Sequence, residues 1–325
     1  MEFLKQRGKS FPMVAFFAVM IILSFIIKNG FYQHIFILTL FYAGMSSAWN
    51  IVGGYAGQLS LGHAAYMGIG AYTATLLYLK MGVSPWIGII AAIIIAAAVS
   101  ALISYPSFKL HGTFFAMSTL AFGEVMRIIA NYWRGLTNGS VGLSIPFKPS
   151  LAHLMFEERV GYVYFAMIFL AVVLVISSRI KESRAGYYLN AIRENEIAAR
   201  SLGINTSLYK LYASVISASL AAVGGVFYAF YILYIDPSGL MDSAISIQFT
   251  LMAIIGGLGT LWGPVVGAIL IIPLSEFMRA WLGGVGQGLH LVIYGLIMVV
   301  VVIVSPGGLI NGYKVIIRKI KKIKA

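Results

Sequence analysis

Residues 85–105 read PWIGIIAAIIIAAAVSALISY, a run in which no residue carries a charge. A helix needs about 20 predominantly apolar residues to cross the hydrocarbon core of a bilayer, and this run has that length. An amphipathic helix on the surface of a soluble domain would keep one polar face, which this run lacks. We therefore predict that residues 85–105 span a membrane.

Apolar runs of similar length lie on both sides of this one along the chain. We predict nine further spans, at Phe11–Ile27, Phe31–Val52, Leu61–Leu79, Thr113–Ala130, Val160–Ser178, Leu211–Tyr234, Ala244–Gly256, Leu261–Leu282 and Leu289–Ser305. No small-residue cleavage pattern follows the first run, so we expect an uncleaved span rather than a signal peptide. The predicted fold class is an all-α membrane protein, a polytopic bundle of about ten transmembrane helices.

The composition excludes other classes of protein. The chain of 325 residues is 60% hydrophobic and 10% charged, whereas soluble domains average about 45–50% and about 25%. It contains no Cys, which excludes disulfides, thiolate metal sites and cysteine nucleophiles. The longest hydrophilic stretches are too short to bury a core of their own. We therefore expect residues 1–325 to form one transmembrane domain.

The distribution of the 23 Lys and Arg residues orients the predicted bundle. Ten spans place both termini on one side, and most basic residues then fall on that side, in the N-terminus, in loop 179–210 and in the tail 306–325. Positive charge accumulates on the cytoplasmic side of membrane proteins, so we expect cytoplasmic termini and an outer loop at 131–159. The basic tail is interpreted as an anchor at anionic lipid, and no nucleic acid partner is expected.

Two glycine-rich motifs, GGYAGQLSLGH (53–63) and GGLGTLWGP (256–264), open two of the predicted spans. Such segments can break a helix and turn backbone groups towards a translocation path. Small residues equally allow helices to pack closely, and both interpretations remain open. The candidate path residues are Gly57, Gln58, Ser60, Gly62, His63, Gly257 and Gly259. His63 has no second His or carboxylate near it in sequence, so we expect no metal site.

Two pairs of opposite charges lie near the predicted outer ends of spans: Glu124 with Arg127, and Glu276 with Arg279. The i,i+3 spacing allows each pair to neutralise itself on one helix face. A charged residue at membrane depth usually faces a cavity or a partner, but a long side chain near the boundary also reaches water. A functional and a purely structural role remain open for both pairs.

Residues 191–203, AIRENEIAARSLG, combine small and apolar residues at helical spacing with charges between them. They predict one short amphipathic helix, parallel to the membrane at the cytoplasmic face and ended by Gly203. This helix would either dock into a groove of another protein or lie at the interface without a partner. The candidate contact residues are Arg193, Glu194, Glu196, Ala198, Ala199, Leu202 and Gly203.

Three segments together resemble one known family: GYAGQLSLGHAAYMGIGAY (54–72), AIRENEIAARSLGIN (191–205) and GGLGTLWGP (256–264). In this order they are similar to the membrane subunits of branched-chain amino acid ABC importers, the Liv system. Of the two paralogous permeases of that system, the chain resembles the M-type subunit. The similarity extends over essentially the whole chain.

The resemblance implies a function and a set of partners. The chain would be a permease for branched-chain amino acids in the inner membrane. It would pair with a homologous permease, two ATPase subunits and an extracytoplasmic substrate-binding protein. No cofactor and no enzymatic activity are implied, and we find no P-loop with which the chain itself would bind ATP.

The same resemblance identifies the amphipathic segment as the contact with the ATPase. Permeases of ABC importers carry a Glu-Ala-Ala-x-x-x-Gly coupling motif there. Residues 197–203 match it, except that Ile197 replaces Glu and Glu196 stands one residue earlier.

Two alternatives to this function remain open from the sequence. A urea or short-amide ABC permease shares the motifs of the family. An ion- or proton-coupled secondary transporter would need carboxylates or histidines near the middle of its spans, and the predicted spans contain few of them.

Overall fold

A computed structural model describes residues 2–108, 112–282, 295–296, 299, 303 and 308–310, with side chains from residue 12 onward. The α-helices are α1 Glu2–Ile26, α2 Gly30–Asn50, α3 His63–Met81, α4 Pro85–Ser107, α5 Thr113–Tyr132, α6 Arg134–Thr137, α7 Arg159–Glu182, α8 Arg184–Glu194, α9 Glu196–Ser201, α10 Thr206–Ile232, α11 Pro237–Met241, α12 Ser243–Gly257 and α13 Gly263–Leu282. A π-helical turn, Ile51–Tyr55, extends α2, and two short strands, β1 Leu143–Ser144 and β2 Tyr234–Ile235, pair antiparallel. The fold is therefore that of an all-α protein, as predicted.

Among the described residues, seven helical segments are long and apolar enough to cross a membrane. They are Gly30–Tyr55, Pro85–Ser107, Thr113–Tyr132, Arg159–Glu182, Thr206–Ile232, Pro237–Gly257 and Gly263–Trp281. The chain is thus a multi-pass membrane protein, while the count of ten spans and the position of the termini stay predictions. The tenth predicted span and the tail 306–325 fall largely outside the described residues.

Two predicted spans within the described residues are not among the seven. The first, Phe11–Ile27, contains only a shorter apolar helical stretch, Pro12–Ile26, and the second is Leu61–Leu79. Its helix, α3, begins only at His63 and is not among the seven apolar segments. Most of its side chains are buried inside the protein, so the polar and small residues that lower its hydropathy face other helices rather than lipid.

The helices differ in how much of their surface the protein encloses. α2 with its π-helical turn is the most enclosed, since 89% of its apolar window is buried, and it packs against α7, α10 and α13. α10 packs against both α3 and α4. α4 and α5 lie at the periphery, with only 28% and 33% of their windows buried, so their outward faces are free for lipid or for another protein.

Glycines set the close approach of α3 and α10. A Cβ atom on Gly225 of α10 or on Gly70 of α3 would overlap the backbone of the facing helix. Ser217 and Ala221 precede Gly225 at intervals of four residues and are fully buried. This stripe of small residues therefore serves helix packing within the chain.

We predict that Gly225→Ala destabilises the protein although alanine favours a helix by up to about 1 kcal/mol. The added methyl group would force two backbones apart, and overpacking of this kind typically costs about 1–3 kcal/mol. Gly135→Ala is the matched control, because a Cβ at this helical position of α6 meets nothing within 4 Å. Thermal unfolding of the purified protein in detergent measures both, and equal midpoints for the two variants would contradict the prediction.

Candidate functional site

Two breaks between helices lie at the end of the bundle where α2, α7 and α12 end, called here the loop end. The first break, residues 56–62, separates the π-helical turn from α3, and the second, residues 258–262, separates α12 from α13. Gly57, Gly257 and Gly259 have φ values of 68°, 132° and 72°, which glycine adopts without steric cost. Both glycine motifs therefore lie where one helix ends and the next begins.

Asn50 joins the two breaks. Its side-chain Oδ1 accepts a hydrogen bond from the backbone N–H of Gly259 at 2.9 Å, and its Nδ2 donates to the carbonyl oxygen of Thr260 at 3.0 Å. A Cβ on Gly54 would lie 2.7 Å from the nitrogen of Gly259, so the two segments touch at a glycine. Asn50 was not among the predicted site residues, although a polar residue that ends an apolar run just before a glycine motif is a usable signal.

Arg193 of α8 reaches the same place. Its Nη1 donates a hydrogen bond to the carbonyl oxygen of Gly54 at 2.9 Å. A Cβ on Gly259 would overlap this guanidinium group, and a Cβ on Gly57 would come within 2.7 Å of the Arg193 Cγ. Three segments that are far apart in sequence, each containing predicted site residues, thus meet at one arginine.

Side chains of neighbouring helices bind the backbone of the first break and of the start of α3. Thr119 of α5 accepts a hydrogen bond from the N–H of Leu61 at 2.9 Å, and Ser246 of α12 accepts one from the N–H of Ala64 at 2.8 Å. Gly62 lies against the Thr119 carbonyl oxygen, where a Cβ would come within 2.6 Å. The break is therefore held by specific contacts.

His63 and Ser60 are buried in a hydrogen-bonded network rather than placed in an open cavity. Ser217 Oγ donates to the carbonyl oxygen of Ala48 at 2.6 Å, so it accepts from His63 Nε2 at 2.7 Å. Because the Ser217 hydroxyl has one hydrogen to donate, these two bonds place a hydrogen on His63 Nε2. The His63 Nδ1 lies 3.1 Å from Ser60 Oγ, so both ring nitrogens have a hydrogen-bond partner. The geometry favours helix packing for these two residues.

The predicted single helix over 191–203 is wrong in one respect, because the structure contains two helices, α8 and α9, divided at Asn195. The extended backbone of Asn195 (φ −158°, ψ 104°) ends α8, and its side chain accepts from the N–H of Ala198 at 3.0 Å. An Asn at this position caps the next helix. Gly203, with φ 83°, follows the end of α9 as predicted.

The outward face of α9 also differs from the prediction. Ala199 is buried against the chain itself, whereas Ile197 and Leu202 expose 81% and 82% of their surface. Ala198 and Gly203 are exposed as well. The exposed apolar side chains here are therefore Ile197 and Leu202, and of the predicted contact residues Ala199 alone is buried.

Glu196 ties α9 to the bundle. One carboxylate oxygen lies 2.6 Å from the Nζ of Lys210 in the first turns of α10, and the other lies 3.2 Å from Arg200. Lys210 is only 1% exposed, and its Nζ lies 5.6 Å from the centre of the Phe108 ring after α4. A buried lysine needs such partners. Lys210 was not among the predicted site residues, because its position in the sequence did not indicate that it would be buried.

The two predicted ion pairs form as expected from their spacing. Arg127 contacts Glu124 on α5, and Arg279 Nη1 lies 3.5 Å from Glu276 on α13. Each pair therefore neutralises itself on one helix, away from the breaks, and the purely structural interpretation accounts for the contacts observed.

A cavity of about 1140 Å³ opens at the loop end. Its wall includes Arg193 of α8, Gly259 and Trp262 of the second break, and Arg179 and Lys181 from the end of α7. Of the candidate path residues, Gly259 lines this cavity, while Ser60, Gly62 and His63 are buried and do not line it. In the part of the chain described, no three His, Asp or Glu residues cluster in a way that would hold a metal ion.

Comparison with known proteins places these features in a family. The sequence profile described as "Branched-chain amino acid transport system / permease component" matches residues 31–302. The chain is 29% identical to the high-affinity branched-chain amino acid transport system permease protein LivM of Escherichia coli (strain K12), over 92% of this chain and 74% of that protein. No solved structure matches it significantly.

Two further relatives carry the same kind of name. LivM of Salmonella typhimurium is 29% identical over 84% of this chain and 68% of that protein. A probable branched-chain amino acid transport permease protein LivM of Methanocaldococcus jannaschii is 25% identical over 73% of this chain and 71% of that protein.

We predict that Glu196→Gln loosens α9 from the bundle, because it leaves the buried Lys210 ammonium without its carboxylate. Loss of one member of a buried pair typically costs about 3–5 kcal/mol, and we expect the lower end because Glu196 keeps 19% of its side chain exposed. Hydrogen exchange of the amides in 196–210 should accelerate, and adding Lys210→Met should reverse part of this. Glu194→Gln, at a side chain 71% exposed, is the control. Unchanged exchange in Glu196→Gln would contradict the prediction.

Proposed function

Because the chain belongs to the family of permease components of branched-chain amino acid transport systems, we propose that it is the membrane-spanning permease subunit of an ABC importer. Its cargo is branched-chain amino acids, and its location is the inner (plasma) membrane. The family is one of transport permeases rather than enzymes. One observation carries the proposal: α9 presents two apolar side chains outward while its other face is fixed to the transmembrane bundle.

The proposed topology has ten spans and both termini in the cytoplasm, within a single domain of residues 1–325. The contacts at the loop end support it. Arg193 binds Gly54, Gly54 touches the second break, and Lys210 lies over Phe108. The ten-span topology puts all these segments on the cytoplasmic side, whereas a topology with one crossing fewer between any two of them would place them on opposite sides.

The outward face of α9, Ile197 with Leu202, is the proposed docking surface for an ATPase subunit. An exposed apolar pair on a short polar helix is unfavourable in water, and burial of such side chains in a groove is a common mode of helix recognition. The Glu196–Lys210 pair and the buried Ala199 hold this helix in a fixed orientation. The ATPase would therefore meet a preformed surface, which reduces the entropy lost on binding.

Transport would follow from movement of this surface. ATP-driven closure of two ATPase subunits displaces α9, and Glu196 transmits the displacement to the buried Lys210 of α10. α10 packs on α3 and α4, so a rigid movement of α10 re-orients the helices around the translocation path. Gly57, Gln58, Gly257 and Gly259 at the breaks remain the proposed path residues, whereas Ser60, Gly62 and His63 are proposed to support that path from behind.

The remaining partners complete the importer. A homologous permease would cover part of the outward apolar faces of α4 and α5, which this chain leaves exposed. A substrate-binding protein would dock at the opposite end, around the outer loop 131–159. A secondary transporter is disfavoured, because Gly30–Tyr55 and Pro85–Ser107 contain no charged residue, and Glu124 and Glu276 are each paired with an arginine on their own helix.

We predict that Ile197→Asp and Leu202→Asp each weaken the association with the ATPase. A buried apolar anchor typically contributes about 2 kcal/mol or more to an interface, which corresponds to about 30-fold in affinity. Co-purification of the ATPase and leucine uptake should fall together while expression and membrane insertion stay normal. Met81→Asp, at a residue 70% exposed at the end of α3 away from the loop end, is the matched control. Full co-purification with both α9 variants would remove the docking surface from the proposal.

The substrate class has its own test. Vesicles that contain the chain with its second permease, its ATPase subunits and its binding protein should take up labelled leucine when ATP is supplied. Excess isoleucine or valine should compete with this uptake, and excess urea should not. Competition by urea without competition by valine would assign the chain to the urea or short-amide permeases instead.

A further inference from the structure

We infer that Arg193 is the positioning residue that links movement of the ATPase-docking helices to both helix breaks at once, an inference that rests on the function proposed above. The Arg193 side chain is 32% exposed, and it lies where α8, the first break and the second break meet. Three separate observations support a role beyond general packing: the hydrogen bond, the glycines around the side chain and the cavity beside it.

The hydrogen bond joins α8 to the turn before the first break. Arg193 Nη1 donates to the carbonyl oxygen of Gly54, and Nη2 lies 3.1 Å from the exposed carboxylate of Glu194. A hydrogen bond from a charged donor is about twice as strong as a neutral one. It also depends steeply on distance and angle, so a displacement of α8 by a few ångströms would break it.

The glycines around Arg193 show that the fit is close on two further sides. The side chain lies against Gly57 and Gly259, and a Cβ at either position would collide with it. Both glycines have positive φ angles, which glycine adopts without steric cost. Arg193 therefore packs against two points where the backbone takes a conformation that other residues rarely adopt.

The cavity leaves open space beside Arg193 into which its side chain can move. Arg193 and Gly259 share the wall of the 1140 Å³ cavity, so the side chain is enclosed by the breaks on one side and faces open space on the other. If α8 moves with the ATPase, Arg193 can leave the Gly54 carbonyl without a clash on that side. The hydrogen bond is thus placed to form in one state of the transporter and to open in the other.

The contact between the two breaks does not depend on Arg193, because Asn50 also joins them. Asn50 binds the second break directly from the end of α2 and involves no residue of α8. Removal of the Arg193 side chain should therefore leave the two breaks in contact and remove only their connection to the docking helices. Glu196 still anchors α9 to α10, so the ATPase should continue to bind.

The test measures uptake of labelled leucine and hydrolysis of ATP in the same vesicles containing the complete importer. For Arg193→Ala we expect normal co-purification of the ATPase, hydrolysis within about twofold of the unaltered importer, and at least about tenfold less leucine taken up per ATP. Arg193→Lys should resemble Arg193→Ala, because an ammonium group cannot both reach the carbonyl and fill the planar space beside Gly259. Arg184→Ala, an exposed arginine at the start of α8, should leave the ratio unchanged.

A second measurement detects the motion itself and does not depend on transport. The chain has no Cys, so Leu59→Cys places a single thiol at an exposed position of the first break, where leucine is 41% exposed. Its rate of labelling by a maleimide should differ between the nucleotide-free importer and the importer trapped with ATP and vanadate. When Arg193→Ala or Arg193→Lys is added, this difference should disappear.

The outcomes distinguish the inference from the function on which it rests. An unaltered chain that neither binds an ATPase nor supports uptake would overturn the proposed function. Unchanged leucine uptake per ATP in Arg193→Lys, or nucleotide-dependent labelling that persists in it, would overturn the role of Arg193 alone. If the Arg193→Ala variant fails to assemble, the results for Arg193→Lys test the role of Arg193, since lysine keeps the charge and most of the volume of the side chain.

Discussion

Hydrogen bonding of the backbone at the two helix breaks is the constraint on which the loop end depends. Each break is the connection between two successive helices, so its N–H and C=O groups have no helical partners, and those buried away from water must be bound by other parts of the protein. Asn50, Thr119 and Arg193 do so here, each from a different segment of the chain. These bonds require α2, α5 and α8 to converge at the loop end.

Polar contacts also attach the α8–α9 pair to the rest of the loop end. The α8–α9 pair is attached to the bundle by two polar contacts of different kinds, a buried ion pair from Glu196 to Lys210 and a hydrogen bond from Arg193 to Gly54. The first contact joins a helix to a helix and transmits rigid movement. The second joins a helix to a backbone turn beside glycines with positive φ angles. A force applied to Ile197 and Leu202 would reach α10 and the breaks by these separate routes.

Sequence periodicity and hydropathy predicted the apolar helices well, because lipid imposes one length and one composition on them. Local features that depend on tertiary partners were harder to predict. The amphipathic helix divides at Asn195 because the side chain of Asn195 caps α9, and the spacing of apolar residues in the sequence does not reveal such a cap. The burial of Ala199 depends on which face of α9 meets the bundle. For His63, composition left a polar path and tight packing equally open, and only the bonds to Ser60 and Ser217 distinguish them.

The one departure from the coupling motif acquires a physical explanation from these contacts. Successive residues of an α-helix are rotated by about 100°, so a carboxylate at position 196 points to a different side of α9 than one at position 197. At 196 it faces the bundle and neutralises the buried Lys210. Position 197, where the family motif has Glu, is almost fully exposed and carries Ile. A shift of one residue thus moves the negative charge from the exposed side of α9 to its anchor, and it leaves an apolar side chain on the surface that we propose for docking. An ATPase groove that receives this surface should accordingly be apolar where Ile197 enters it, rather than lined with basic groups for a carboxylate.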